Sequence, residues 1–148
     1  MPPEFRGKMD LVFLKKLVDF GVIGFLILLS IISVTFFIER LLFYKHVDTT
    51  KYKNQKILEN ALTKHLTTIG SIASNAPYIG LLGTVLAIMI TFASIGNAGL
   101  DAAKIMSSIA LALKTTAVGL VVAIVSMFFY NILVRFSETI LAHYDEKI

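Results

Sequence analysis

The side chains that could do chemistry in the apolar part of this chain are hydroxyls. Thr84, Thr91 and Ser94 stand in one long apolar stretch, and Ser108, Thr115, Thr116 and Ser126 in the next. A threonine does not titrate near neutral pH, so it stores no proton, but it hydrogen-bonds to water or to a carboxylate. No Asp, Glu or His lies within these stretches or the apolar run before them, although pumps and transporters place their proton-binding groups there. If protons pass through an assembly that contains this chain, another protein must supply the carboxylate. The single charge is Lys114, a functional candidate by default. It lies ten residues after Lys104, near the end of its stretch, where its four-carbon stem reaches lipid headgroups, and we expect it to snorkel.

The hydroxyls fall on stripes. Pro77, Gly80, Thr84, Ala87, Thr91 and Ser94 recur three or four residues apart, as do Ser108, Ala112, Thr115 with Thr116, Gly119, Ala123 and Ser126. That spacing puts each set on one helix face; the other faces are Leu, Ile, Val, Met and Phe. Two readings fit. Small residues let helices pack closely in lipid, which accounts for Gly80, Gly83, Ala87, Gly119 and Ala123. Alternatively the hydroxyls line a polar, partly hydrated lumen, with Gly80, Thr84, Thr91, Ser108, Thr115 and Thr116 along it.

The elements that must carry these stripes are membrane helices, in an all-α polytopic protein with one membrane domain over residues 1–148. Crossing the hydrocarbon takes about 20 apolar residues at roughly 1.5 Å each. Residues 20–38 carry no charge and form the first span, bounded by Asp19 and Glu39. Residues 39–68 are polar, and from Thr50 to Leu66 they lack Pro and Gly, which predicts a helix running straight into the second span. The second span covers 69–95 and the third 105–134, closed by Arg135; 135–148 is a short polar tail. Helices two and three are expected to be long and to extend into the cytoplasm. The charge-free run Leu66–Leu100 exceeds one crossing, so it tilts or projects. Pro77 inside it predicts a kink, and Asn97, Gly99 and Asp101 a turn. Residues 9–19 read equally as an interfacial amphipathic helix or a polar lead. Residues 1–8 read as a vector scar or loose tail, with Met9 the natural start, and no cleavable signal peptide is apparent. Lys and Arg concentrate in 39–68 and the tail, which places both in the cytoplasm and the N-terminus outside.

Composition narrows the function further. The chain is 56% hydrophobic and only 16% charged, with more apolar surface than one small core can bury; the excess needs lipid or partner subunits. With no cysteine there is no disulfide, thiol nucleophile or thiolate metal site. His46, His65 and His143 are far apart, so neither a metal site nor a cofactor is expected. The net charge of +4 reads as topological, not as nucleic-acid binding. No nucleophile–base pair can be assembled in the spans, which argues against an enzyme. A self-contained transporter would need a titratable group in a span, and only Lys114 is available.

Asn75-Ala76-Pro77-Tyr78-Ile79-Gly80-Leu81-Leu82-Gly83-Thr84-Val85 resembles the AP-x-x-GL-x-GTV signature of the ExbB/TolQ/MotA proton-channel family. The run Ile109–Leu120, with Ala123-Ile124 and Tyr130-Asn131, is similar to its third-helix signature, and Glu39-Arg40 also matches. The resemblance covers Met9 to Arg135. It is nearer to ExbB than to TolQ; MotA proteins have four spans. It implies a homo-oligomer, a pentamer, in the bacterial inner membrane, around an ExbD-like single-span partner whose helix supplies an Asp. Thr84 and Thr116 would face that Asp, and proton-motive force would energise a TonB-like protein for outer-membrane uptake. A TolQ-like role in the Tol-Pal envelope system and a structural membrane scaffold are the alternatives. One departure stands out: Leu111 occupies a position where many relatives carry a glutamate, so either that glutamate is not essential to the mechanism here or this complex handles its protons differently.

Overall fold

The computed structural model describes residues 3–95 and 101–146. They form four α-helices: α1 (Pro3–His46), α2 (Gln55–Leu62), α3 (Leu66–Ile95) and α4 (Ala102–Glu146). A short 3₁₀ turn, Thr49–Lys51, lies between α1 and α2. Among the described residues three helices are long and apolar enough to cross a membrane, one within each of α1, α3 and α4, so this is an all-α multi-pass membrane protein. The expected turn residues Asn97 and Gly99, and Lys147 of the tail, lie outside the described residues.

The first helix is longer than its charge-free core. Residues 3–19 and 39–46 belong to the same continuous helix as 20–38, so the charged lead is neither a separate interfacial helix nor a loose polar segment. Asp19 and Glu39, which mark the edges of the apolar run, sit within α1 and not at its ends. α3 likewise continues through Pro77. Asp101 opens α4: its carboxylate accepts from the Ala103 N–H at 3.1 Å and its carbonyl from the Ile105 N–H at 3.1 Å, satisfying first-turn donors that have no intrahelical partner.

The helix expected from Thr50 into the second span is replaced by a short helix and a break. Asn54 caps α2, its side chain accepting from the Ile57 N–H at 2.9 Å. At the other end the Thr63 N–H and hydroxyl both donate to Glu59 O, at 2.9 and 2.8 Å. His65 then takes φ 70°, a left-handed conformation that ends a helix and costs an L-residue roughly 1–2 kcal/mol. The absence of Pro and Gly does not prevent a break when local side-chain caps and a stacking partner hold it: the His65 ring lies on Phe36, centroids 4.2 Å apart.

The chain packs as two compact units. One takes residues 29–74 and 123–148. Its core is Leu66, Ile69 and Leu133, packed by Phe36, Phe37, Phe129 and Tyr130; Phe37 and Phe129 stack at 4.1 Å. α2 is held by α1 through its last carbonyls, which a helix end leaves unpaired. Arg40, 3% exposed, donates to Ala61 O at 2.7 Å and bidentately to Glu39, and Tyr44 donates to Leu62 O. Ser33 and Ser126 hydrogen-bond at 2.9 Å, so Ser126 is consumed by a contact with α1. Ala123 of the same stripe is buried.

The other unit takes residues 1–28 and 75–122. It holds the first part of α1, the later part of α3 and the first part of α4, and it contains the threonines.

Candidate functional site

The site is built on a place where two backbones nearly touch. A Cβ on Gly80 would lie 2.5 Å from Thr115 O and 3.1 Å from Gly119 Cα; one on Gly119 would lie 2.6 Å from Ala76 O. Only glycine at both positions permits this approach, the mechanism by which small residues bring membrane helices together. Gly83 faces two neighbours at once: its Cβ would meet Thr115 Oγ1 at 2.9 Å and Val22 Cγ1 of α1 at 3.0 Å. Pro77 is half-buried on the same helix.

Close approach brings three hydroxyls together. Thr84 Oγ1 lies 2.8 Å from Ala112 O and 3.2 Å from Thr115 Oγ1, and is hydrogen-bonded to Thr116 Oγ1. Thr115 Oγ1 lies 3.0 Å from Gly80 O and 3.0 Å from Ala112 O. Each hydroxyl has one proton to give and two lone pairs. One assignment uses all three protons: Thr115 donates to Gly80 O, Thr84 to Ala112 O, and Thr116 to Thr84. Thr84 and Thr115 are 5% and 0% exposed, whereas Thr116 is half-buried. Thr116 is therefore the member of the cluster that something outside this chain can reach. Its lone pairs accept no bond in this assignment, and its proton can be redirected by rotation about one bond. In this assignment the two buried hydroxyls are satisfied within the chain.

The structure joins Gly80, Thr84, Thr115, Thr116 and Gly119, and sets Thr91 and Ser108 apart from them. Thr91 lies two turns further along α3, about 10 Å from Thr84 at 1.5 Å per residue. There it donates to Ala87 O at 2.9 Å and accepts from Lys15 Nζ of α1 at 3.3 Å. Lys15, Thr91, Ser94 and Ser108 line a cleft of about 140 Å³, closed on its apolar side by Leu11 and Ile90. Leu111 and Lys114 are exposed on α4, outside the helix contact. Sequence reasoning missed the part α1 plays: Lys15, Asp19, Val22 and Leu26 recur at four, three and four residues, a helical face that a reading confined to the charge-free run 20–38 cuts in two.

These features agree with comparison to known proteins. Residues 35–146 match the profile of the MotA/TolQ/ExbB proton channel family. The chain is 50% identical over 133 residues to "Putative biopolymer transport protein ExbB-like 2" of Helicobacter pylori (strain 26695), an alignment covering 89% of each. It is 47% identical over 123 residues to "Biopolymer transport protein ExbB" of Aquifex aeolicus, covering 82% of this chain and 83% of that one. It is 45% identical over 135 residues to the ExbB protein of Helicobacter pylori J99, covering 90% and 93%. With its three apolar helices and the glycine-packed threonines between α3 and α4, the chain belongs to the MotA/TolQ/ExbB proton channel family.

Proposed function

We propose that this chain is the channel-forming subunit of an ExbB-type motor in the bacterial inner membrane, converting proton-motive force into work on a TonB-like protein. In this reading five copies surround an ExbD-like single-span helix whose Asp carries the proton. The observation that carries it is the hydroxyl cluster: Thr84 and Thr115 are buried, Thr116 is half-open, and none of them titrates near neutral pH. A carboxylate passing Thr116 receives its hydroxyl proton as a hydrogen bond. An unpaired polar group in hydrocarbon costs several kcal/mol, so such a donor makes the charged form of the partner's Asp tolerable in mid-membrane. Thr84 acts through Thr116, and Thr115 holds Gly80 O and the helix crossing. The names of the relatives support the ExbB assignment over a TolQ-like role.

The test uses Thr116→Val and Thr84→Val in cells that carry the rest of the system and lack the native chain. Valine keeps the shape and removes the hydroxyl. We expect normal membrane levels and assembly with severe loss of proton-driven uptake, the single Thr116→Val change being at least as damaging as Thr84→Val. Full activity in both would sink the proposal. Loss of assembly would favour a scaffold role for the cluster.

A further inference from the structure

The unit of residues 29–74 and 123–148 carries two unlike clefts on opposite faces of α4. Val134, Ser137 and Glu138 face the first; Phe136, Thr139 and Ile140 face the second. Two residues separate Phe136 from Glu138, Ser137 from Thr139 and Glu138 from Ile140. Each such step turns roughly 200° around a helix. The clefts therefore lie back to back at one height along α4.

The first cleft is acidic. Glu59 of α2, Thr67 of α3 and Ser137 and Glu138 of α4 line it beside apolar Leu66 and Val134, and it holds about 270 Å³. Among the described residues no ion pair joins Glu59 or Glu138 to a cation, although Lys56 and Arg135 stand three residues before them on the same helices. Ser137 is 3% exposed, lines this cleft, and its hydroxyl makes no hydrogen bond among the described residues. A buried hydroxyl without a partner calls for one, and the two carboxylates call for a cation. A bare metal ion fits poorly. The space is several times the ~30 Å³ of a water molecule, and among the described residues no group of three His, Asp or Glu could hold a metal. A lysine side chain fits: its ammonium donates three hydrogen bonds and its methylene stem lies on Leu66 and Val134.

The second cleft supplies the complement. Lys45 of α1 is exposed there, beside Tyr44, Phe136 and Ile140, and no acid lines it. Phe136 is 47% exposed, an aromatic of the type that subunit interfaces cover. Copies closed into a ring meet head to tail, each presenting one face to a different face of the next. Back-to-back clefts of opposite charge then come together at every contact.

We propose that neighbouring copies of this chain join through these two faces, the Lys45 ammonium of one copy entering the acidic cleft of the next, where Glu59, Glu138 and the Ser137 hydroxyl accept its hydrogen bonds. The contact rests on the homo-oligomer of the motor reading and specifies which faces meet.

The experiment has two arms, both in membranes containing the whole complex. The chain contains no cysteine, so a Lys45→Cys chain and a Glu138→Cys chain with different tags can be co-expressed without background and treated with a short bis-maleimide. A cross-linked dimer carrying both tags should form, and Lys16→Cys, near the other end of α1, should give none with Glu138→Cys. In the second arm, Lys45→Glu and Glu138→Lys should each lower the fraction recovered as oligomer at normal membrane level, and the two changes combined in one chain should recover more oligomer than either alone. No two-tag dimer, or a combined variant no better assembled than the weaker single one, overturns the proposal. If the two-tag dimer forms while Thr84→Val and Thr116→Val are both fully active, the motor reading fails and the contact stands. If the dimer is absent while the threonine variants lose uptake, the contact fails and the motor reading stands.

Discussion

Adding one methyl group at Gly80 should take the site apart, and the size of the effect follows from the crossing. The new Cβ would start 2.5 Å from Thr115 O, and ordinary contact begins at 3.4 Å, so the helices must separate locally by about 0.9 Å. The obstacles are backbone atoms, which cannot swing aside as a side chain does. A shift of that size stretches the Thr84–Ala112 bond from 2.8 Å and the Thr115–Gly80 bond from 3.0 Å beyond the roughly 3.2 Å range of good hydrogen bonds. Overpacking a tight contact costs about 1–3 kcal/mol, and two interhelical hydrogen bonds in a membrane add about 0.6 kcal/mol each. We expect Gly80→Ala to lose about 2–4 kcal/mol of stability, read as a lowered midpoint of denaturant unfolding in detergent micelles, with proton-driven uptake reduced in parallel. Gly24→Ala is the control: nothing lies within 4 Å of its Cβ position, and Ala is the better helix former by about 1 kcal/mol. Should Gly80→Ala and Gly24→Ala unfold at the same midpoint, the close crossing is not holding the helices together and the argument from it collapses.

Four further outcomes are expected. Arg40→Ala removes the donor to Ala61 O and its stack on Phe43; Glu39 is 45% exposed and stays solvated, so the loss is that of a hydrogen bond from a charged group, about 1.5–3 kcal/mol, and the segment around α2 should become protease-sensitive at Lys53 or Lys56. Lys114→Arg should be silent and Lys114→Leu mild in uptake, because the side chain is exposed; complete loss with Lys114→Arg at normal membrane level would make it functional. Cysteines at Thr50 and Asn97 should label from opposite sides of the membrane, and labelling of Thr50 from the outside of spheroplasts would reverse the topology. Liposomes holding this chain alone should show little proton flux above a protein-free control, since the threonines store no proton.

The sequence carried the helices and their small-residue faces because both are periodic properties of one strand of text: charge-free length sets a span, and spacing of three and four sets a face. It did not say what each face meets. Gly80, Thr84 and Gly119 have the same signature whether they line a lumen or touch another helix of their own chain, and here they touch. The same limit hid Lys15, whose partner Thr91 on α3 lies far away in sequence. The break at His65 was illegible for another reason. Helix propensity reads the absence of Pro and Gly as continuity, while Thr63, Glu59 and the stack on Phe36 supply a local alternative strong enough to hold a left-handed residue.

The serine and threonine side chains also bear on how the chain is made. Thr35, Ser74, Thr91 and Thr139 each return their hydroxyl to the carbonyl four residues earlier, at 2.8–2.9 Å. Two of the cluster threonines keep a fallback of this kind, Thr84 toward Gly80 O four residues earlier at 3.4 Å and Thr115 toward Ala112 O three residues earlier at 3.0 Å. These hydroxyls can thus enter lipid already bonded within their own helix, as a newly inserted segment requires. Docking of α3 on α4 then exchanges one set of bonds for another of similar strength. Thr84 and Thr115 do not need α3 and α4 to meet before they enter the bilayer, and they reach their shared arrangement once Gly80 and Gly119 have let the backbones close.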